Sequence, residues 1–296
     1  MSDAAIEHVS DTAFVIAHYR AVETERPDAL FRDPLAGRLS GERGREMASA
    51  MPMPVMTKQF VVIRTCIIDE YIREAIVQGV DTVLNVGAGL DTRPYRMDIP
   101  ESLVWIEADY PHVIAFKERQ LSGEKPRCRL ERVQTDLSNP SERQKILAGI
   151  DDRAGKLLVL AEGVISYLSV EEVSSLADDL RALQHIRCWI VEYFSPYIIK
   201  FRQRRRFGRK MRNAPFKFTP KDYFGFFAEH GWHLRKIRYL VEEAERLHRP
   251  IKLPPFLNLT LKIRRLFASD VGRAALGYAM LEPGTISAGH MSSKNV

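Results

Sequence analysis

Two hydrophobic periods take turns along the chain. Over residues 58–78 apolar side chains recur at Phe60, Ile63, Ile67, Ile68, Tyr71, Ile72 and Ile76, the spacing of one helical face, and Gly79 stands where that helix would end. Residues 82–86 then form a short β-branched run, the signature of a buried strand. Comparable runs follow at 103–109, 132–137, 157–164 and 189–194, and Ser169 with Glu172 has capping-box spacing between the last two. Strands that alternate with helices predict a parallel sheet covered on both faces.

The flanks are less regular. Residues 11–24 read as a helix capped by Asp11 or Thr12, with Arg20 and Glu23 three apart and expected to form a surface ion pair. Residues 31–36 read as a loop closing into a second helix with Pro34 early in it, and residues 51–56 as a break. After residue 194 the alternation stops until Thr219 and Pro220, which predict a helix start, with the helix ending near Gly231. Strands are expected at 234–241 and 274–280, an irregular Pro-rich stretch at 250–255, and a disordered tail over 283–296.

Ligands of parallel sheets sit beyond the C-terminal strand ends, and there the sequence places Asp109, Asp136, Glu162 and Glu192. The first strand runs into Gly87-Ala88-Gly89, a turn in which glycine tolerates positive φ and lets a ligand approach the backbone. Asp109 follows about 20 residues later, where a nucleotide-binding unit keeps the carboxylate that accepts hydrogen bonds from ribose hydroxyls. Thr92 replaces the third glycine of the dinucleotide fingerprint, which weakens the case for NAD or FAD. S-adenosylmethionine needs the glycine turn and the acid but no phosphate cradle, so it fits better.

Composition narrows the setting. The 296 residues are 45% hydrophobic and 28% charged, ordinary values for a globular protein with a sizeable core. No apolar run approaches the roughly 18 residues of a membrane span, and Asp3, Glu7 and Asp11 replace the basic start of a signal peptide. A cytoplasmic location without membrane attachment is expected. Cys66, Cys128 and Cys188 are odd in number and far apart, which argues against disulfides and zinc, and His230 with His233 lacks accompanying ligands, so no metal is expected. Of the formal charge of +6, seven basic residues between Arg202 and Arg212 account for more than the whole. That segment reads as a solvated helix face, as a lid whose arginines attract an acidic substrate, or as an RNA contact with Phe201 and Phe207 interleaved.

The motifs together resemble one family. Residues 86–93 (Val-Gly-Ala-Gly-Leu-Asp-Thr-Arg) with Arg96, residues 107–111 (Glu-Ala-Asp-Tyr-Pro), Asp136-Leu137 and residues 161–168 (Ala-Glu-Gly-Val-Ile-Ser-Tyr-Leu) are similar to the leucine carboxyl methyltransferases, which are S-adenosylmethionine-dependent O-methyltransferases. Residues 20–23 and 31–34, and Arg64-Thr65 with Asp69, extend the likeness, which covers about residues 11–240 and is nearest the bacterial branch of polyketide and other secondary metabolism. The resemblance implies an α/β, Rossmann-like class I methyltransferase fold: a seven-stranded, mostly parallel sheet in a single domain, a helical cap over 1–58 and a lid insertion over 196–219.

It also implies roles. Arg64 would receive the methionine carboxylate, Gly87, Ala88 and Gly89 would lie against the amino-acid part, Asp109 would hold the ribose, and Tyr110 would be a further cofactor contact. Asp136 and Leu137 would flank the adenine, Glu162 would bind the ammonium or sit near the methyl group, and Arg20 would be a basic cofactor contact. Asp91 and Arg93 would brace the loop. The implied reaction is in-line displacement on the sulfonium methyl by a carboxylate or hydroxyl oxygen of a small, acidic metabolite. A carboxylate is ionised at pH 7, whereas a phenol needs a base, for which His18, Tyr19 and Tyr167 are the candidates. The rivals are an RNA methyltransferase using 202–212 and a non-catalytic S-adenosylmethionine-binding protein; a nucleic-acid partner is disfavoured, and a monomer or homodimer is expected.

Overall fold

The structure, a computed structural model, describes residues 9–51, 53–196, 198–199, 216–251 and 270–284. Its sheet has seven strands: β1 (Thr82–Val86), β2 (Val104–Asp109), β3 (Arg129–Gln134), β4 (Leu157–Ala161), β5 (Ile186–Phe194), β6 (Trp232–Tyr239) and β7 (Leu276–Pro283). Their order is β3-β2-β1-β4-β5-β7-β6. The first five pair in parallel, and β7 lies antiparallel between β5 and β6. This is the α/β architecture that the alternating periods and the family motifs predict.

Alternate residues of the buried strands point to opposite faces. Leu84, Val86, Ile106, Val159, Trp189 and Val191 join one core. On that face α6 (Pro140–Asp151), α7 (Val170–Arg181) and α8 (Tyr223–Glu229) supply Leu147, Leu176 and Phe227 among others. Val83, Trp105, Leu158, Leu160, Cys188 and Ile190 face the other core, where α3 (Pro54–Val77) lays down Ile63, Ile67, Ile68, Tyr71 and Ile72. Strands β1 and β4 are buried along their whole length, and β4 accordingly reads as an unbroken apolar run. All three cysteines are buried thiols. Among the described residues no helix is long and apolar enough to cross a membrane.

Two further helices, α1 (Thr12–Thr24) and α2 (Ala36–Ala50), pack on each other and on α3. Short helices α4 (Arg93–Arg96) and α5 (Pro111–Gln120) follow β1 and β2, α9 (Leu240–Arg246) follows β6, and α10 (Asp270–Arg273) precedes β7. The capping box of α7 is complete: Glu172 N–H donates to Ser169 Oγ, and Ser169 N–H donates to the Glu172 carboxylate.

Several local expectations change. Strand β3 starts three residues before the expected 132–137, because an edge strand with Arg129 and Glu131 facing outward hides its apolar period. Asp136 and Leu137 consequently lie in the loop beyond it. Helix α8 begins at Tyr223, not at Thr219-Pro220, and Asp222 supplies the cap by accepting from Gly225 N–H at 3.0 Å. Pro34 lies in a turn ahead of α2, whose first amide is held by Asp33. Asp11 occupies the N-cap position of α1 without capping it, since its carboxylate is taken by Arg43 at 2.6 Å. Arg20 and Glu23 are buried and unpaired with each other: Arg20 meets Asp33, and Glu23 accepts from Leu30 N–H. Pro283 closes β7, and Gly284 N–H bonds Gly231, so the expected tail begins later than 283; its remainder from 285 lies outside the described residues, as does most of the expected lid.

Candidate cofactor site and family membership

Register puts the strand-end groups at one height. Val86 lies opposite Ala108, Asn85 opposite Leu160 and Ala161 opposite Val191, so Gly87, Asp109, Glu162 and Glu192 all emerge together at the C-terminal edge. Gly87 (φ 65°) and Gly89 (φ 48°) both adopt the left-handed conformation that disfavours any side chain. A Cβ on Gly87 would come within 2.6 Å of Val164 Cγ2, and one on Gly89 within 3.2 Å of Ala13 Cβ. The turn therefore requires glycine for space as well as for backbone angle.

Asp109 fastens this turn. Gly89 N–H donates to Oδ2 at 2.6 Å and Tyr110 N–H to Oδ1 at 2.7 Å. Each oxygen keeps a second lone pair, so the carboxylate can still accept from a pair of hydroxyls. Burial pushes the Asp109 pKa up, and the two amides oppose that shift without cancelling it. Ala88 is buried inside the turn, while Tyr110 is 36% exposed and stacks on His112 at 5.7 Å. Asp136 is exposed and accepts from Ser138 N–H; half-buried Leu137 gives its carbonyl to Arg143.

Beneath the turn lies a balanced ionic network. Arg93 donates to Asp69 at 2.7 Å and, through Nη1, to both Asp91 and Glu162 at 2.8 Å. Arg96 forks onto Asp69 at 2.6 and 2.9 Å, and Arg20 reaches Asp33 at 2.8 Å and the Leu90 carbonyl at 2.6 Å. Thr92 Oγ1 donates to Asp33 at 2.6 Å, and Asn85 to Asp91 at 2.9 Å. Burial opposes ionisation of Asp69, Asp91 and Glu162, yet the adjoining arginines outweigh it and hold all three below the usual carboxylate range. Asp91 and Arg93 thus face protein groups, the geometry of a brace.

Arg64 differs from its neighbours. Its Nε lies 2.9 Å from Glu162 Oε1, close enough for an ion pair, but the N–H is not aimed at that oxygen and has no hydrogen-bond acceptor. The buried Tyr278 phenol neighbours the same guanidinium, whose charge opposes the upward push of burial on its pKa. A half-buried cation whose buried Nε–H is unsatisfied suits a further carboxylate. The motif over 161–168 contains Val164 without revealing its place above Gly87, and no motif pointed to Tyr278, because both act only through the fold. Glu192 accepts from Gly163 N–H (3.1 Å), Ser166 N–H (3.0 Å) and Ser166 Oγ (2.8 Å), which fixes the loop carrying Glu162. An acid in an otherwise apolar strand was its only sequence signal.

The structure therefore brings together Arg64, Gly87, Ala88, Gly89, Asp109 and Glu162. Tyr110, Asp136 and Leu137 lie at the adjoining strand ends. Arg20 stands behind the turn, with Nε and Nη2 engaged by Asp33 and Leu90. Tyr19 and Tyr167 share a separate small core with Val15 and Met47. The Tyr19 hydroxyl donates to the Ala48 carbonyl at 3.2 Å, and burial pushes its pKa up to about 12. His18 is half-buried, and burial followed by the Arg45 charge pushes its pKa down. The Tyr167 ring lies 5.3 Å from that of Phe216. His230 pairs with Asp178 at 2.6 Å, and among the described residues no group of side chains is assembled as metal ligands would be.

A turn without side chains, a two-oxygen acceptor and a half-buried guanidinium with a spare donor fit the amino-acid and ribose ends of S-adenosylmethionine. Comparison with known proteins agrees. Residues 13–181 match the family model described as leucine carboxyl methyltransferase. A protein of Streptomyces avermitilis named as an S-adenosyl-L-methionine-dependent methyltransferase is 32% identical over 262 residues, covering 82% of this chain and 89% of its own. One of Mycobacterium marinum with the same description is 32% identical over 306 residues, covering 87% and 94%. Among solved structures, a duf574 family protein of S. avermitilis aligns with a TM-score of 0.53 at 15% identity over 90% of this chain and 96% of that one. A Thermobifida fusca protein described as a methyltransferase gives 0.53 at 14% identity over 91% and 94%. These two establish likeness of fold. With the family model matched over more than half its length and relatives 32% identical along most of it, the chain belongs to the leucine carboxyl methyltransferase family and is an S-adenosylmethionine-dependent methyltransferase.

Proposed function

We propose that the protein transfers the methyl group to a carboxylate oxygen of a small organic acid. Bound S-adenosylmethionine supplies an electrophilic methyl on a sulfonium sulfur. Asp109 and the Gly87–Gly89 turn would hold the nucleoside, and Arg64 and Glu162 would orient the amino-acid end. Such positioning alone can be worth effective molarities of about 10⁵–10⁸ M. The observation that favours a carboxylate over a hydroxyl is that none of the three base candidates stands among Arg64, the glycine turn, Asp109 and Glu162: Tyr19 and Tyr167 share the core with Val15 and Met47, and the His18 ring lies 6.0 Å from that of Tyr19. The Tyr19 phenol is buried and spent on Ala48, with its pKa pushed up to about 12. The strand-end acids are likewise engaged: Asp109 by two amides, Glu162 by two guanidiniums and Glu192 by Gly163 and Ser166. A carboxylate nucleophile is already ionised at neutral pH and needs none of them.

The test is methyl transfer from labelled S-adenosylmethionine to matched small carboxylic acids and phenols. Base-labile methyl esters, formed at a rate nearly flat from pH 6 to 8, are expected. Transfer confined to phenols, with a rate climbing towards their pKa, would overturn the reading. Labelling of RNA in place of small acids would favour the basic segment 202–212 as the acceptor surface, and cofactor binding without transfer to any acceptor would favour a non-catalytic role.

A further inference from the structure

A cavity of about 370 Å³ lies outside the cofactor cradle, between α5 and the N-terminal helices. It follows α5 through His112, Val113, Phe116 and Arg119, positions on one side of that helix spanning two turns. It therefore starts beside the glycine turn and runs along the helix to Arg119, and its lining includes none of Arg64, Gly87, Gly89, Asp109 and Glu162. Ala13 and Leu90 close its inner wall, Leu90 being the residue after the glycine turn.

The cavity has the chemistry of a recognition site. Phe14 and Phe116 meet edge to face, with centroids 5.2 Å apart, and form an aromatic wall. Each ring carries a guanidinium: Arg43 lies 4.7 Å from the Phe14 centroid and Arg119 5.8 Å from that of Phe116. The two arginines differ in their partners. Arg43 is neutralised by buried Asp11 at 2.6 Å, whereas exposed Arg119 meets no carboxylate within 4 Å among the described residues. Two guanidiniums and one carboxylate leave one positive charge on an aromatic wall, in a cavity within the roughly 300–1,000 Å³ of small-molecule sites.

We propose that this cavity binds a planar aromatic monoanion, with its ring against Phe14 and Phe116 and its carboxylate on Arg119. A carboxylate suits the planar guanidinium fork, and a ring suits an aromatic surface flanked by cations. Methyl transfer plays no part in it.

Calorimetric titration of the full-length protein with 1-naphthoate tests the assignment. One saturable site is expected, weakened at least tenfold by Arg119→Glu and less by Arg119→Lys, with S-adenosylmethionine affinity unchanged in both. The uncharged analogue 1-naphthalenemethanol should bind at least tenfold more weakly than naphthoate. Phe116→Leu, which keeps an apolar side chain there, should also weaken naphthoate. Naphthoate binding that survives Arg119→Glu would place the ligand elsewhere and overturn the proposal, as would no binding at millimolar concentration.

Discussion

Asp109 divides its work between two oxygens. One holds the Gly89 amide of the turn and the other the Tyr110 amide, and each keeps a second lone pair, so removal of the carboxylate would loosen the loop and take away the proposed ribose acceptor together. Asp109→Ala should weaken S-adenosylmethionine about 10- to 100-fold, the worth of one charged hydrogen bond; unchanged affinity by calorimetry would refute the assignment. Arg93 lies beneath, among Asp69, Asp91 and Glu162. Truncating one member of a buried charge cluster strands the others, and Arg93→Met should cost about 3–5 kcal/mol at pH 7. The sign of the pH dependence follows from native pKa values held below the unfolded ones. The stability these acids contribute is fully present above about pH 4 and is lost as pH falls through the depressed native values. Urea unfolding from pH 7 downward should therefore show the gap between wild type and Arg93→Met narrowing in acid.

Register converts separate elements into a site. Since register sets Gly87, Asp109, Glu162 and Glu192 at one height, four short motifs distant in sequence share one edge, and a strand-end acid could be read as a site residue before any contact was known. The glycine turn depends on a neighbour that no local pattern reveals: Val164, in the loop after β4, fills the space above Gly87. Gly87→Ala meets both the contact and about 1–2 kcal/mol of left-handed strain. Adding Val164→Ala should relieve the first alone, so the double variant should regain part of the lost cofactor affinity and fall short of wild type; full recovery would mean that φ is not limiting. Strands buried on both faces, helix α3 and the α7 cap were legible because each writes its own period or spacing. Edge strand β3 was misplaced by its polar alternation, and α8 by a Thr-Pro pair that mimics a cap ahead of the working one at Asp222. The Arg20–Glu23 spacing suggested a local pair, but tertiary packing sends Arg20 to Asp33 and to Leu90, 70 residues along the chain.

At the scale of the molecule, the N-terminal helices are tied to the loop that carries the glycine turn. Asp33, in the connection between α1 and α2, receives Arg20 from α1 and Thr92 from the turn, so the helices and the loop are fastened at one carboxylate. Such long-range ties had no sequence signature beyond family likeness, because a charge written in a loop does not say which charge it will meet. Binding to the folded state alone should stabilise the whole assembly, by about 2.7 kcal/mol at a hundredfold excess over Kd.

The three thiols offer a way to time that assembly as it opens. Cys66 lies in α3, Cys128 in the approach to β3 and Cys188 in the central strand β5, and burial raises each pKa to about 12. A thiol reacts as its thiolate, so in the intact fold all three should be silent towards an alkylating reagent at pH 8. Each becomes a stopwatch for the opening of its own region. If the molecule opens as one unit, the three should be modified at one rate under limiting reclosing, and cofactor at that hundredfold excess should slow all of them about 100-fold. If the edge opens alone, Cys128 should be modified first and keep its pace when cofactor is added; mass spectrometry of partially alkylated protein separates the two outcomes.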